Sequence, residues 1–457
     1  HQGHTRDRPP SQESARPNTQ TSRPKQPSTH TPSSANATTD DGVHASTSGR
    51  LWRPGDKLEP GEQLQVDNSA YEMLHRMQVE WPCLTFGFAT DPTAGQSSAY
   101  PLTAYAVMGT QAERSSQNKL LVLKASNLCR TNRDDDSDDE ASSDPLMQSL
   151  SVAHPGTVNR LKLMPQAPHV CATWSDEPAV HLWDLSTQLT NLRAPGRAPG
   201  PPSQQPVFSY GGHADEGFAL DFSTVQQGSL ATGDCAGSLR LWRAASSGGS
   251  GWAVEPAPLV GHEGSVEDVQ WSPVEANVLM SCGVDATLRV WDVRNAAKAG
   301  AAITADEGHK EDINVIGWNR LVNYLVVSGA DDGTFRVWDL RSIRDSEPVA
   351  RFDWHKGPIT SVEWSPHESS TLAVSGDDDQ LTLWDLALED DPEAERAIEG
   401  RDDLADIPPQ LFFVHQGQHH MKELHWHAQL PGVLASTAED SVHVWKPANI
   451  GDGAAST

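Results

Sequence analysis

Cysteine, base and long apolar runs are what this 457-residue chain has least of. Its five cysteines (Cys83, Cys129, Cys171, Cys235 and Cys282) are dispersed and form no CxxC pair. That excludes a dense disulfide framework and predicts reduced core thiols in an intracellular protein. No apolar run approaches the roughly 18 residues that would span a bilayer, so no membrane partner is expected. The polar start predicts no secretory leader. Bases are scarce: 34 Lys and Arg stand against 62 Asp and Glu, a formal charge of −28. A direct nucleic-acid surface needs clustered bases, so none is expected. The same imbalance favours a basic protein client, which a negative surface would steer and hold.

What is present is a repeat. His154/Trp183, His213/Trp242, His262/Trp291, His309/Trp338 and His355/Trp384 are each 29 residues apart, and Trp445 ends a sixth, altered copy. A third landmark falls nine residues after each His: Leu163, Phe222, Trp271, Trp318 and Trp364. Repeats of roughly 40–45 residues with a GH start and a WD end signal a β-propeller of four strands per blade. The fold class is therefore all-β, a seven-bladed propeller over 83–447, with "CLTFGF" (83–88) as its first strand. "SVEDVQWSP" and "ITSVEWSP" alternate as half-buried strands do. Further copies are expected at 154–185, 207–243, 262–293, 309–340, 355–386 and 411–446.

Around this core lie less regular parts. Residues 1–60 are Ser/Thr/Pro-rich and are expected to be disordered, because they cannot bury enough apolar surface. Ser69 and Glu72 have capping-box spacing, and Tyr71, Leu74 and Met77 recur at helical intervals before Trp81-Pro82. An N-terminal α-helix is expected over 61–82. Acidic insertions are expected at 131–145 ("DDDSDDE" lies within) and 389–409, a Pro/Gly-rich loop at 194–206, and a flexible C-terminus at 448–457.

A recurring His, Ser and Asp suggests a catalytic triad, but equivalent copies around a ring point to structure. Phosphate loops, dinucleotide fingerprints and nucleophile elbows are missing, and no enzyme activity, catalytic residue or cofactor is assigned. His419, His420, His425 and His427 are dense, yet no Cys or carboxylate is spaced to complete a metal site with them.

The GH-to-WD units resemble the WD-repeat family, in which His, Ser/Thr, Asp and Trp of one blade form a buried hydrogen-bond network. The resemblance implies structural tetrads of His262, Ser281, Asp285 and Trp291, and of His309, Ser328, Asp332 and Trp338. The tetrad pattern degrades elsewhere: the Asp slot holds Glu177 and Ala236, and one Ser slot holds Val374. Those blades are expected to be less rigid.

"SAYEMLHRMQVEWPCLTFGF" (69–88) and "DDLADIPPQLFFVHQG" (402–417) are similar to the entry helix and acidic Pro-Pro loop of the histone-binding chaperone subfamily. A glutamate-rich branch acting in ribosome assembly is similar in further segments. The resemblance implies a monomeric, nuclear and nucleolar chaperone for a basic client, a large-subunit ribosomal protein or a histone. The client would be gripped by Asp402, Asp403, Asp406 and Ile407, with Tyr71, Leu74 and Met77 on the helix side. An alternative comes from "VWDVR" (290–294) and "VWDLR" (337–341). They resemble the box by which receptors of cullin-based ubiquitin ligases dock to their adaptor, through Arg294 or Arg341.

Overall fold

The computed structural model describes residues 66–91, 94–132, 144–194, 204–245, 251–295, 301, 303–305, 308–389 and 407–450. The expected tail and the Asp-rich stretches of both acidic insertions lie outside the described residues. Seven antiparallel sheets stand around one axis as blades. Their inner strands are Cys83–Phe88, Val158–Met164, Ala219–Phe222, Val266–Trp271, Ile313–Trp318, Ile359–Trp364 and Glu423–Trp426.

The core is divided among the seams between blades. Seven apolar clusters each join one blade to the next. Six seams hold a repeat Trp (Trp183, Trp242, Trp291, Trp338, Trp384 or Trp445), each fully buried on the side facing the preceding blade. The seam of blades seven and one lacks a Trp and is filled by Met73, Met77, Phe86 and Met108. Flexible thioethers suit that less regular gap.

Side chains also stitch neighbouring inner strands together. The backbone N–H of Trp271 donates to Asp221, that of Trp318 to Gln270 and that of Trp426 to Glu363, at 2.8, 2.8 and 2.9 Å. Phe86 N donates to Glu423 at 2.7 Å, which links blade seven to blade one.

The sequence repeat runs out of phase with the blades. Phe208–Tyr210, at the head of one repeat, is the outer strand of the preceding blade, and Leu411–His415 likewise completes blade six. The last blade therefore lacks a fourth strand of its own. Tyr71–Met77 supplies it, pairing antiparallel with Val442–Pro447.

This corrects the expected helix over 61–82. Residues 61–65 lie outside the described residues, Asn68–Ala70 form one 3-10 turn, and Tyr71–Met77 is strand. The apolar spacing of Tyr71, Leu74 and Met77 is helical, but Tyr71, Met73, His75 and Met77 alternate, and these are the residues the strand buries. Asp67, through Ser69 N, caps the turn in place of the expected capping box. The expected flexible C-terminus is also tied down at its start. Ala448 N donates to Ala70 O at 2.8 Å, and Ile450 packs on the seam of blades six and seven.

The tetrad of blade four is complete. His262 Nδ1 bonds Asp285 at 3.0 Å, its Nε2 meets Ser281 Oγ at 2.7 Å, and Trp291 Nε1 donates to Ser281 at 2.8 Å. Blade five keeps His309, Ser328 and Trp338 together. There Asp332 accepts from Thr334 instead, and His309 Nδ1 has no partner. The blades with degraded slots recover the chemistry from other positions. Asp234 replaces Ala236 and bonds His213 at 2.9 Å. Thr382, on the neighbouring strand, replaces Val374 and joins His355 to Trp384. In blade two, Gly156 O takes the carboxylate's place against His154 Nδ1 at 3.0 Å. Between blade six and the last blade, Tyr71 Oη, His415 and His443 form a buried chain with steps of 2.8 and 3.0 Å.

Candidate functional site: an acidic channel mouth

Strands alternate in direction, so connections between second and third strands, and from outer strand to the next inner strand, share one face, the upper. Their carboxylates far outnumber their described bases, which are Arg114, Lys310, Lys356 and Lys422. Many of these acids are already engaged. Asp234 is held down at about 2 despite burial, because His213 and Ser238 bond it. Asp285 and Asp378 are lowered in the same way by His262 and His355.

The mouth of the channel between blades two and five is different. Glu267 is pushed up mainly by burial, which Ser265 and Arg160 oppose and the charges of Asp312 and Asp331 reinforce, and Asp312 is pushed up by burial and Asp331. Among the described residues, Glu216 and Asp331 accept there from neutral amides, of Asn159 at 2.9 Å and Asn314 at 2.8 Å. Arg160 is the base within reach of Glu267, and its guanidinium is engaged by Glu423 at 3.1 Å. Carboxylates that raise one another's pKa mark an uncompensated negative potential, which a cation relieves.

The sequence did not single out Glu216, Glu267, Asp312 or Asp331. A signal existed: the fifth residue after each repeat His (Asn159, Phe218, Glu267, Asn314, Thr360) stands at the start of the inner strand, at the mouth.

The residues that were singled out lie elsewhere. Asp402, Asp403 and Asp406 fall outside the described residues. Ile407 packs against the seam of blades five and six. The two ends of the acidic insertion are pinned together, with Asp385 N donating to Gln410 O at 2.8 Å and Gln410 to Leu388 O at 3.1 Å. Its return strand does meet the N-terminal strand: Tyr71 and Phe413 touch edge to face at 5.2 Å. Tyr71 and Met77 are buried and Leu74 is partly buried, so the strand offers little free apolar surface there.

Arg294 and Arg341 are exposed on the opposite, lower face. Asp292 holds the first at 2.6 Å and Asp339 holds the second, whose guanidinium also lies 3.8 Å from the Tyr324 ring centre. The four dense histidines disperse. His419 bonds Asp379, His420 bonds Asp377, His425 lies between Glu363 and Glu423, and His427 is buried.

Comparisons with known proteins follow the same division. Residues 61–129 match a family described as "Histone-binding protein RBBP4", which also takes in a component of the CAF1 complex. Residues 256–292, 302–339 and 346–385 match "WD domain, G-beta repeat". The Arabidopsis thaliana "Protein HEAT STRESS TOLERANT DWD 1" is 47% identical, covering 88% of this chain and 92% of that one. The Schizosaccharomyces pombe "Ribosome assembly protein rrb1" is 42% identical, covering 86% and 84%. The Dictyostelium discoideum "Glutamate-rich WD repeat-containing protein 1" is 44% identical, covering 88% and 85%. The WD40 β-propeller domain of Doa1 has the same fold, with a TM-score of 0.52 at 12% identity, covering 82% of this chain and 96% of that one.

Proposed function

The chain belongs to the WD-repeat family that includes the ribosome assembly protein and the glutamate-rich WD-repeat protein, and on that premise we propose that it is a non-enzymatic chaperone of a basic client. The client is a large-subunit ribosomal protein held during ribosome biogenesis, and histones are a second class. The observation that supports this reading is the cluster of Glu267, Asp312 and Asp331, whose repulsion a Lys/Arg-rich segment would relieve. Charge-assisted hydrogen bonds to such a segment are short and about twice as strong as neutral ones. The chaperone acts as a monomer in the nucleus and nucleolus, and the relative named for ribosome assembly supports the nuclear part of this reading.

Affinity purification from cells with mass spectrometry tests the reading. Basic ribosomal proteins or histones should dominate the eluate and drop out for the Glu267→Gln/Asp312→Asn/Asp331→Asn variant. An eluate without basic proteins would end it. The Asp402→Asn/Asp403→Asn/Asp406→Asn variant separates the loop's part from that of the mouth.

A second reading, an adaptor-docking receptor of a ubiquitin ligase, has one observation in its favour: Arg294 and Arg341 are both exposed on the same face. Co-purification with the adaptor, lost on Arg294→Ala or Arg341→Ala, is its test.

A further inference from the structure

The lower end of the channel has the opposite character from its upper mouth. The ends of the inner strands and the turns after them enclose a cavity of about 290 Å³. Its walls include Trp271, Trp318, Trp364 and Trp426, and its charged groups are Arg160, Lys162, Arg320 and His425 against Asp221, Asp268, Glu363 and Glu423.

These charges are unevenly paired. Glu423 is engaged by Arg160 at 3.1 Å and by Phe86 N at 2.7 Å, and Glu363 by His425 and Trp426 N, each at 2.9 Å. Burial pushes Asp221 up to about 7, even with Lys162 and Arg320 in Coulombic reach, and it raises Asp268 too. His425 holds its proton up to about 9: burial opposes this, but Glu363 and Glu423 outweigh it. Arg160, Lys162 and His425 thus converge on the single carboxylate of Glu423, at 3.1, 3.5 and 3.4 Å, inside a chain of formal charge −28. Lys162 has Glu423 at 3.5 Å as its ion-pair partner, and Arg320, exposed at the rim, has none among the described residues. Beside Arg320, apolar Val225, Val274 and Leu321 are exposed on the neighbouring turns.

We propose that this cationic, tryptophan-walled mouth is a second binding site, one that receives an acidic side chain carried on an apolar segment of a partner protein. Its volume suits one or two side chains rather than a helix. Apolar and polar groups share its walls about equally, and converging polar groups fix the orientation of whatever a specific pocket takes. The carboxylate would lie against Lys162 and Arg320, and the apolar body would cover Val274, Leu321 and the Trp walls. Because the two mouths have opposite polarity, the chain could hold a basic client above and an acidic partner below at the same time.

The test uses the full chain and two labelled peptides, one alternating Glu with Leu and Phe, the other with Ser in place of its apolar residues. Fluorescence anisotropy should show binding of the first peptide, weakened about tenfold or more by Lys162→Gln/Arg320→Gln. A Lys/Arg-rich peptide should bind that variant as it binds the parent, and thermal unfolding should be unchanged. No binding of the first peptide, or binding unaffected by the double substitution, overturns the proposal. Equal binding of the Ser peptide, or displacement by inorganic phosphate at similar concentration, would reveal a bare anion site and overturns it as well. An equal loss of the basic peptide would show that the substitutions disturb the whole ring rather than this mouth, and overturns it too.

Discussion

At the scale of the residue, the repeated His, Ser and Asp are scaffold, and their value depends on partners that the repeat positions do not fully determine. Asp285 is bonded to His262, whereas Asp332 is not bonded to His309. Asp285→Asn should therefore cost about 2–3 kcal/mol, as lost charged hydrogen bonds do. Asp332→Asn should cost about 0.5 kcal/mol or less. Urea unfolding of the two variants reads the difference directly, and equal losses would contradict it. The histidines also set a pH profile. Burial pushes His154, His427 and His443 down to about 4. On unfolding they return to about 6.5, so their contribution is complete above that value and is lost as pH falls through 4. His425 runs the other way: its contribution is complete below about 6.5 and is lost as pH rises through 9. Thermal unfolding should thus be highest near neutrality, and His425→Gln should remove the alkaline decline while leaving the acid one.

At the scale of the element, the ring depends on the strand Tyr71–Met77, which comes from the far end of the chain and completes the last blade. Tyr71 buries its ring against Phe413 and Trp445 and bonds His415. Tyr71→Phe should cost about 1 kcal/mol, one buried hydrogen bond. Tyr71→Ala should cost about 3–5 kcal/mol, in the range of other buried aromatic truncations. A Tyr71→Ala variant as stable as the parent would show that this strand does not close the ring. The 29-residue interval made the blades legible because His and Trp occupy the same buried corner of each. This strand was not legible, since its residues satisfy a helical and an alternating pattern together, and its partner strand, Val442–Pro447, begins 365 residues further on. Substitute positions such as Asp234 and Thr382 were missed for a related reason: a side chain can reach the same buried His from two different backbone positions.

At the scale of the whole molecule, the channel joins two mouths of unlike charge. Net charge alone indicated a basic client but not where it would sit. Interruptions of the repeat drew attention to residues 389–409, and the chain after the insertion does return beside the N-terminal strand, although the insertion's acidic residues other than Glu389 lie outside the described ones. Glu267, Asp312 and Asp331 went unnoticed because they belong to the regular part of the repeat, where only the ring places them together. Exposed ionic contacts weaken as the screening length shrinks from about 8 Å at physiological salt to about 3 Å at 1 M. The most direct measurement is the affinity of a purified basic ribosomal protein for the parent chain and for the Glu267→Gln/Asp312→Asn/Asp331→Asn variant, each across a salt series. We predict a steep loss of affinity with salt for the parent, and for the variant a loss of about tenfold or more with a shallower salt slope. Equal affinities and equal slopes for the two proteins would contradict the acidic mouth as the client's site.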